Sequence, residues 1–95
     1  MSYNAEELRW REAVLSLECC VRCGVYGVDW CHRNYGKGMR QKVSPDQTAA
    51  LCRNCHHEID NGKVFNREER RAIMDSAIVE THHRLYDAGL LQLKR

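Results

Sequence analysis

Two cysteine pairs, Cys20-Val21-Arg22-Cys23 and Cys52-Arg53-Asn54-Cys55, constrain this chain more than any other feature. In a C-x-x-C knuckle a tight turn points both sulfurs at one ion, and backbone N–H groups of the turn support the thiolates. Two knuckles together supply four thiolates, the closed tetrahedral shell of a structural zinc site. The chain has 95 residues, one domain's worth, and so buries a limited core; a metal staple is a natural supplement to apolar packing. Zinc bound in this way contributes on the order of 10 kcal/mol to small zinc domains, comparable to their whole folding stability.

The compartment supports metal over disulfides. The N-terminus has neither a basic start nor an apolar stretch, so no signal peptide is expected. No apolar run approaches the roughly 20 residues that cross a bilayer. A cytoplasmic location follows, where closely spaced cysteines are metal ligands or redox centres more often than disulfides. Two alternatives stay open. Cys19 can replace Cys20 in a C-x-x-x-C knuckle, the unused one being a small buried hydrophobe. Cys31, outside both knuckles, is either core or part of a neighbouring site.

Three parts are expected within a single domain spanning residues 1–95, which makes the fold class α+β. Residues 4–17 read as a helix, with Asn4 and Glu7 as a capping box and Trp10, Val14 and Leu17 as an apolar stripe. Residues 19–62 read as strand (25–30), long loop, strand (48–51) and a helix after Cys55 that stops at Asn61-Gly62. Residues 66–91 read as a second helix, capped by Asn66 and Glu69 and ended near Gly89. Its buried face carries Met74, Ile78, Thr81 and Leu85, with Ile73 and Ala77 beside them. His82 and His83 on this helix lack Cys or acid partners at a ligand spacing.

The middle part also carries candidate chemistry. His56 and Asp60, four apart on a helix, share a face and can hold one cation. His32, at the end of the first strand, is expected to reach the same place once the cysteines bring the knuckles together. An imidazole beside a divalent cation and a phosphate has the parts for hydrolysis: the histidine takes a proton from water and the metal stabilises the transition state. The net charge is only +2, but residues 33–42 hold Arg33, Lys37, Arg40 and Lys42 with no acid, a candidate phosphate-contact loop.

The runs Trp30-Cys31-His32-Arg33-Asn34 and Asp46-Gln47-Thr48-Ala49-Ala50-Leu51-Cys52-Arg53-Asn54-Cys55-His56 resemble the HNH (ββα-metal) nuclease motif in its zinc-containing form. More narrowly, Cys55, His56, Glu58, Ile59 and Asp60 look like the ending found in YbcO-type putative nucleases of bacteriophages and prophages. The likeness covers residues 20–62, about half the chain. It implies a zinc-stapled ββα unit flanked by helices, with Cys20, Cys23, Cys52 and Cys55 on structural zinc. It implies His32 as general base and Gln47 where the family's asparagine orients the hairpin loop. His56 then falls on a metal-ligand position, also counted with the catalytic residues, and Asp60 on a second ligand position. Asn34 is a further orienting candidate. Two positions depart from the pattern. Cys31 stands where an acidic or histidine ligand is common, and a thiolate is a poor ligand for Mg²⁺. Gln47 is one methylene longer than asparagine.

The resemblance thus implies a metal-dependent endonuclease acting in a bacterial host cell. It would use structural Zn²⁺ and a second divalent cation (Mg²⁺, Mn²⁺, Ni²⁺ or Zn²⁺). Its partner would be DNA, gripped by backbone phosphates without base recognition. A homodimer is compatible with double-strand cleavage. The alternative is a non-catalytic zinc module that binds nucleic acid or a phage or host protein.

Overall fold

The structure, a computed structural model, describes residues 4–33, 46–61 and 63–90. Helix α1 spans Ala5–Leu15. Its cap is reciprocal: the Asn4 side chain accepts from the Glu7 backbone N–H at 2.8 Å, and the Glu7 carboxylate accepts from the Asn4 N–H at 3.1 Å. The helix ends two residues before the expected boundary. Ser16 is its C-cap, and Glu18, at φ 65°, turns the chain away.

Strands β1 (Asp29–His32) and β2 (Thr48–Leu51) form an antiparallel pair, with His32 opposite Thr48 and Cys31 opposite Ala49. β2 lies where the sequence places it; β1 is a correction, because the strand expected at residues 25–30 begins only at Asp29. The reason is local. Backbone groups at Val25 and Gly27 are engaged with the preceding turn: Cys20 N–H donates to Val25 O at 2.8 Å and Gly27 N–H to Glu18 O at 2.6 Å. Tyr26 accordingly makes an isolated bridge with Cys19.

Helix α2 runs Arg53–Asn61 and so begins inside the second knuckle, earlier than expected. Helix α3 runs Arg67–Asp87 with the Asn66–Glu69 capping box intact. It ends in a Schellman arrangement: Gly89 takes φ 75°, Leu90 N–H donates to Leu85 O at 2.8 Å and Gly89 N–H to Tyr86 O at 3.0 Å. No described helix is long and apolar enough to cross a membrane.

The hairpin is packed on both faces, which is why all four β2 residues are buried. On one face Cys31, Ala49 and Leu51 meet Ile59 of α2 and Met74, Ala77 and Ile78 of α3. On the other, Ala50 meets Val14 of α1 and Leu85 of α3, with Trp10, Leu17 and Trp30 around them. The outer edge of β2 is also satisfied. Val21 N–H donates to Ala50 O at 3.0 Å, and Ala50 N–H donates to the Thr81 hydroxyl at 3.2 Å. That hydroxyl donates in turn to Ala77 O at 2.7 Å, so a helix side chain stands in for a third strand.

Candidate metal centre and the two faces of the hairpin

Cys20, Cys23, Cys52 and Cys55 place their sulfurs all within 4.8 Å of one another. A tetrahedral zinc with Zn–S near 2.3 Å separates its sulfurs by about 3.8 Å. Cys23 and Cys52 sulfurs lie 3.6 Å apart, a spacing suited to a shared ion and far beyond an S–S bond. The donor set is therefore one that could hold a structural metal such as zinc. Cys20, not Cys19, belongs to it.

Each knuckle has its own local cause. In the first, Gly24 at φ 82° lets the turn close, with its N–H donating to Cys20 O at 2.9 Å. In the second, the Cys52 sulfur takes the helix-capping role and accepts from the Cys55 N–H at 3.4 Å. Metal ligation and helix initiation thus use the same turn.

The thiols are electrostatically unequal. Burial alone would raise Cys20, but the backbone N–H groups of Cys52, Cys23 and Arg22 outweigh it and bring the thiol down to about 6. Burial pushes Cys55 up to about 12, against the opposing pull of the Arg22 guanidinium. Arg22 Nη1 lies 3.3 Å from the Cys55 sulfur and 2.7 Å from Glu58 Oε1, and its guanidinium sits 5.4 Å from the Phe65 ring centre. The sequence pattern assigns Arg22 no role, although its position between two ligands of a knuckle is a signal for one.

His56 and Asp60 come together on α2, Nε2 to Oδ2 at 2.9 Å. Among the described residues the four cysteines are the one group of three or more His, Cys, Asp or Glu side chains close enough to share an ion. His32, His56 and Asp60 consequently do not form a preassembled ligand set, contrary to the expected convergence. The physical reason is strand alternation. Cys31 faces α2 and α3, while Trp30 and His32 face the α1 side, their rings 4.4 Å apart. Trp30 and His32 line an open cleft of about 560 Å³ with Arg11 and Leu15 of α1, Val28 and Asp29.

Cys31 is 1% exposed. Burial, helped by the charges of Asp29 and Asp60, pushes its thiol up to about 12. It packs in the core with Ala49, Leu51 and Ile59 and is not among the four sulfurs that cluster. Gln47 accepts from Arg33 Nη1 at 3.1 Å, and Arg33 N–H donates to Gln47 O at 3.0 Å, so the pair fastens the loop end of the hairpin. Arg33 Nε also lies 3.8 Å from Asp75 of α3. Of the expected basic loop, Arg33 is therefore tied into the fold, and Asn34, Lys37, Arg40 and Lys42 lie outside the described residues. His82 contacts the backbone carbonyl of Asp46 and the Trp10 ring, which explains its place on α3 without a metal. His83 pairs with Asp87 at 3.3 Å on the exposed face, which corrects the expectation that it lacks an acid partner: Asp87 stands four residues on, the same helical spacing as His56 and Asp60.

Comparison with known protein families, with curated proteins and with solved structures finds no match to this chain.

Proposed function

We propose that this protein is a metal-dependent endonuclease of HNH type that hydrolyses DNA phosphodiester bonds. The observation carrying this is the chain order. A hairpin strand ends on His32, and a helix that starts inside the second cysteine knuckle presents His56 one turn after its start and its partner Asp60 a turn beyond that. Zinc holds the scaffold and takes no part in the chemistry.

His32 lies on the α1 side of the hairpin, so the substrate has to bend round the end of β1 to meet both it and the His56–Asp60 pair. There His32 accepts a proton from water, the resulting hydroxide bonds to phosphorus, and the P–O bond on the opposite side breaks with protonation of the leaving oxygen from solvent. His56 and Asp60 offer one nitrogen and one oxygen donor, a set that fits a partly hydrated divalent cation. When bound, that cation supplies charge stabilisation to the phosphorane-like transition state and the leaving oxygen. Among the described residues, His56 and Asp60 are the pair placed to hold it, with Cys31 buried in the core beside them. Gln47, through Arg33, keeps the hairpin end in register beside His32. Contact with DNA is led by backbone phosphates, so affinity falls with salt.

The test is plasmid nicking by the zinc-loaded protein with Mg²⁺, Mn²⁺ or Ni²⁺, beside His32→Ala and Asp60→Ala. General-base loss should slow cleavage roughly 100-fold or more while leaving zinc content unchanged. Cleavage that survives both substitutions at the wild-type rate, or is absent with every cation, removes the assignment.

The burial of Cys31 favours a second reading, a non-catalytic zinc module that binds nucleic acid or a phage or host protein. Metal titration separates the two: that module takes one tight ion per chain and shows no weaker second site at His56 and Asp60.

A further inference from the structure

We propose that Arg22 is an outer-sphere positioning residue of the zinc site, whose guanidinium neutralises and shields the Cys55 thiolate and so keeps the metal from being released. The inference rests on zinc occupying the four-cysteine cluster and is independent of nuclease activity.

Four thiolates around Zn²⁺ leave a cluster with a formal charge of −2. Such a cluster is held more firmly when hydrogen-bond donors and positive charge draw electron density from the sulfurs, and it is open to electrophiles where they do not. Arg22 supplies both at once. It is always charged, its Nη1 stands 3.3 Å from the Cys55 sulfur, and among the described residues no side chain outside the four cysteines shows a second such bond to a cluster sulfur. Three features hold it there. It belongs to the first knuckle, Glu58 of α2 binds the same nitrogen at 2.7 Å, and the Phe65 ring lies beneath the guanidinium at 5.4 Å. Arg22 therefore reaches from one pair of zinc ligands to a sulfur of the other. Cys55 is 4% exposed, whereas Cys23 is exposed, so the two differ in what guards them. Cys23 has the backbone N–H of Val25 but no charged donor, whereas Cys55 has burial and a cation.

Glu58 makes the idea separable from simple bracing. If Arg22 acts through the sulfur, Glu58→Gln leaves the guanidinium free to stay on Cys55 and the site keeps its zinc. If Arg22 acts only as a salt-bridge strut between knuckle and helix, Glu58→Gln and Arg22→Gln do equal harm.

The experiment follows zinc release into a chromophoric chelator during N-ethylmaleimide treatment of zinc-loaded wild type, Arg22→Gln and Glu58→Gln, with the alkylated cysteines mapped by mass spectrometry. Arg22→Gln should release zinc about tenfold faster or more, in line with outer-sphere losses at other metal sites. Cys55 should join Cys23 among the first residues modified. Glu58→Gln should stay within about twofold of wild type, the range in which loss of an exposed ion pair leaves a rate essentially unmoved. In the Co²⁺-loaded proteins the sulfur-to-metal charge-transfer band should shift to lower energy in Arg22→Gln alone. Unchanged release in Arg22→Gln, or equal acceleration in both variants, overturns the proposal. Should Arg22→Gln fail to take up metal, Arg22→Lys decides: retained charge should keep Cys55 protected, and early alkylation of Cys55 there overturns it.

Discussion

Cys31 and His32 are neighbours in β1 yet serve opposite faces of the hairpin. The Cys31 sulfur is buried under α2 and α3, while the His32 ring lies against Trp30 on the side of α1. This one alternation fixes which side chains can act together. Chemistry that uses His32 with the His56–Asp60 pair has to be assembled around the end of the strand by substrate and cation, not across the sheet.

Metal removal is expected to unfold the protein. The four sulfurs draw the first knuckle, the end of β2 and the start of α2 to one point, and the apolar core built on them is small. Loss of about 10 kcal/mol on chelation exceeds what a domain of this size holds in reserve. Circular dichroism through a chelator titration should show one cooperative loss of helix, reversed by Zn²⁺; a folded, zinc-free protein would contradict it.

Zinc affinity should fall with acid. Zinc displaces the thiol protons, so uptake releases protons and apparent affinity rises with pH. Burial pushes Cys55 up to about 12, whereas backbone N–H groups bring Cys20 down to about 6. Affinity should decline steadily from pH 8 and more steeply below about 6, where Cys20 also protonates. Chelator competition between pH 5 and 8 measures this, and a flat profile is the contrary result.

Cys31 should be unreactive in the folded protein. Its thiol is raised from 9.0 to about 12 by burial first and nearby carboxylates second. The raised value favours the protonated fold, so its contribution is present below pH 9 and is lost as pH rises toward 12. With zinc bound, iodoacetamide at pH 8 should modify the part-exposed Cys19 and spare Cys31 in peptide mapping.

Thr81→Val should destabilise the hairpin. The hydroxyl is fully buried and accepts the Ala50 N–H, and nothing on valine replaces that acceptor. An orphaned buried N–H costs about 1–3 kcal/mol, measurable as a lower midpoint in denaturant unfolding of the zinc-loaded protein.

On the proposed nuclease function, Arg11→Ala should weaken DNA binding without disturbing the fold. Arg11 is exposed on α1 and shares the cleft of His32, where its charge suits a backbone phosphate. Loss of one such contact should make the slope of log affinity against log salt shallower by about one. Anisotropy titrations of a short duplex at several NaCl concentrations give that slope; an unchanged slope excludes the contact.

The sequence by itself determined the local parts. Capping boxes at Asn4 and Asn66 and the knuckle spacing are short-range features, settled by hydrogen bonds and turn geometry within a few residues, and the Thr48–Leu51 strand was legible from its composition although its pairing is long-range. The His56–Asp60 pair was legible for the same reason, since helical periodicity alone brings residues four apart together. Only tertiary structure decided the rest. Whether Cys19 or Cys20 joins the cluster depends on how the turn meets Val25 and Gly27. Sealing of the β2 edge by Thr81 depends on α3 lying against it, and Arg22 reaches Cys55 because two turns remote in sequence are packed side by side. These contacts join residues some thirty positions apart, and no periodicity or spacing rule encodes a distance set by the packing of separate elements.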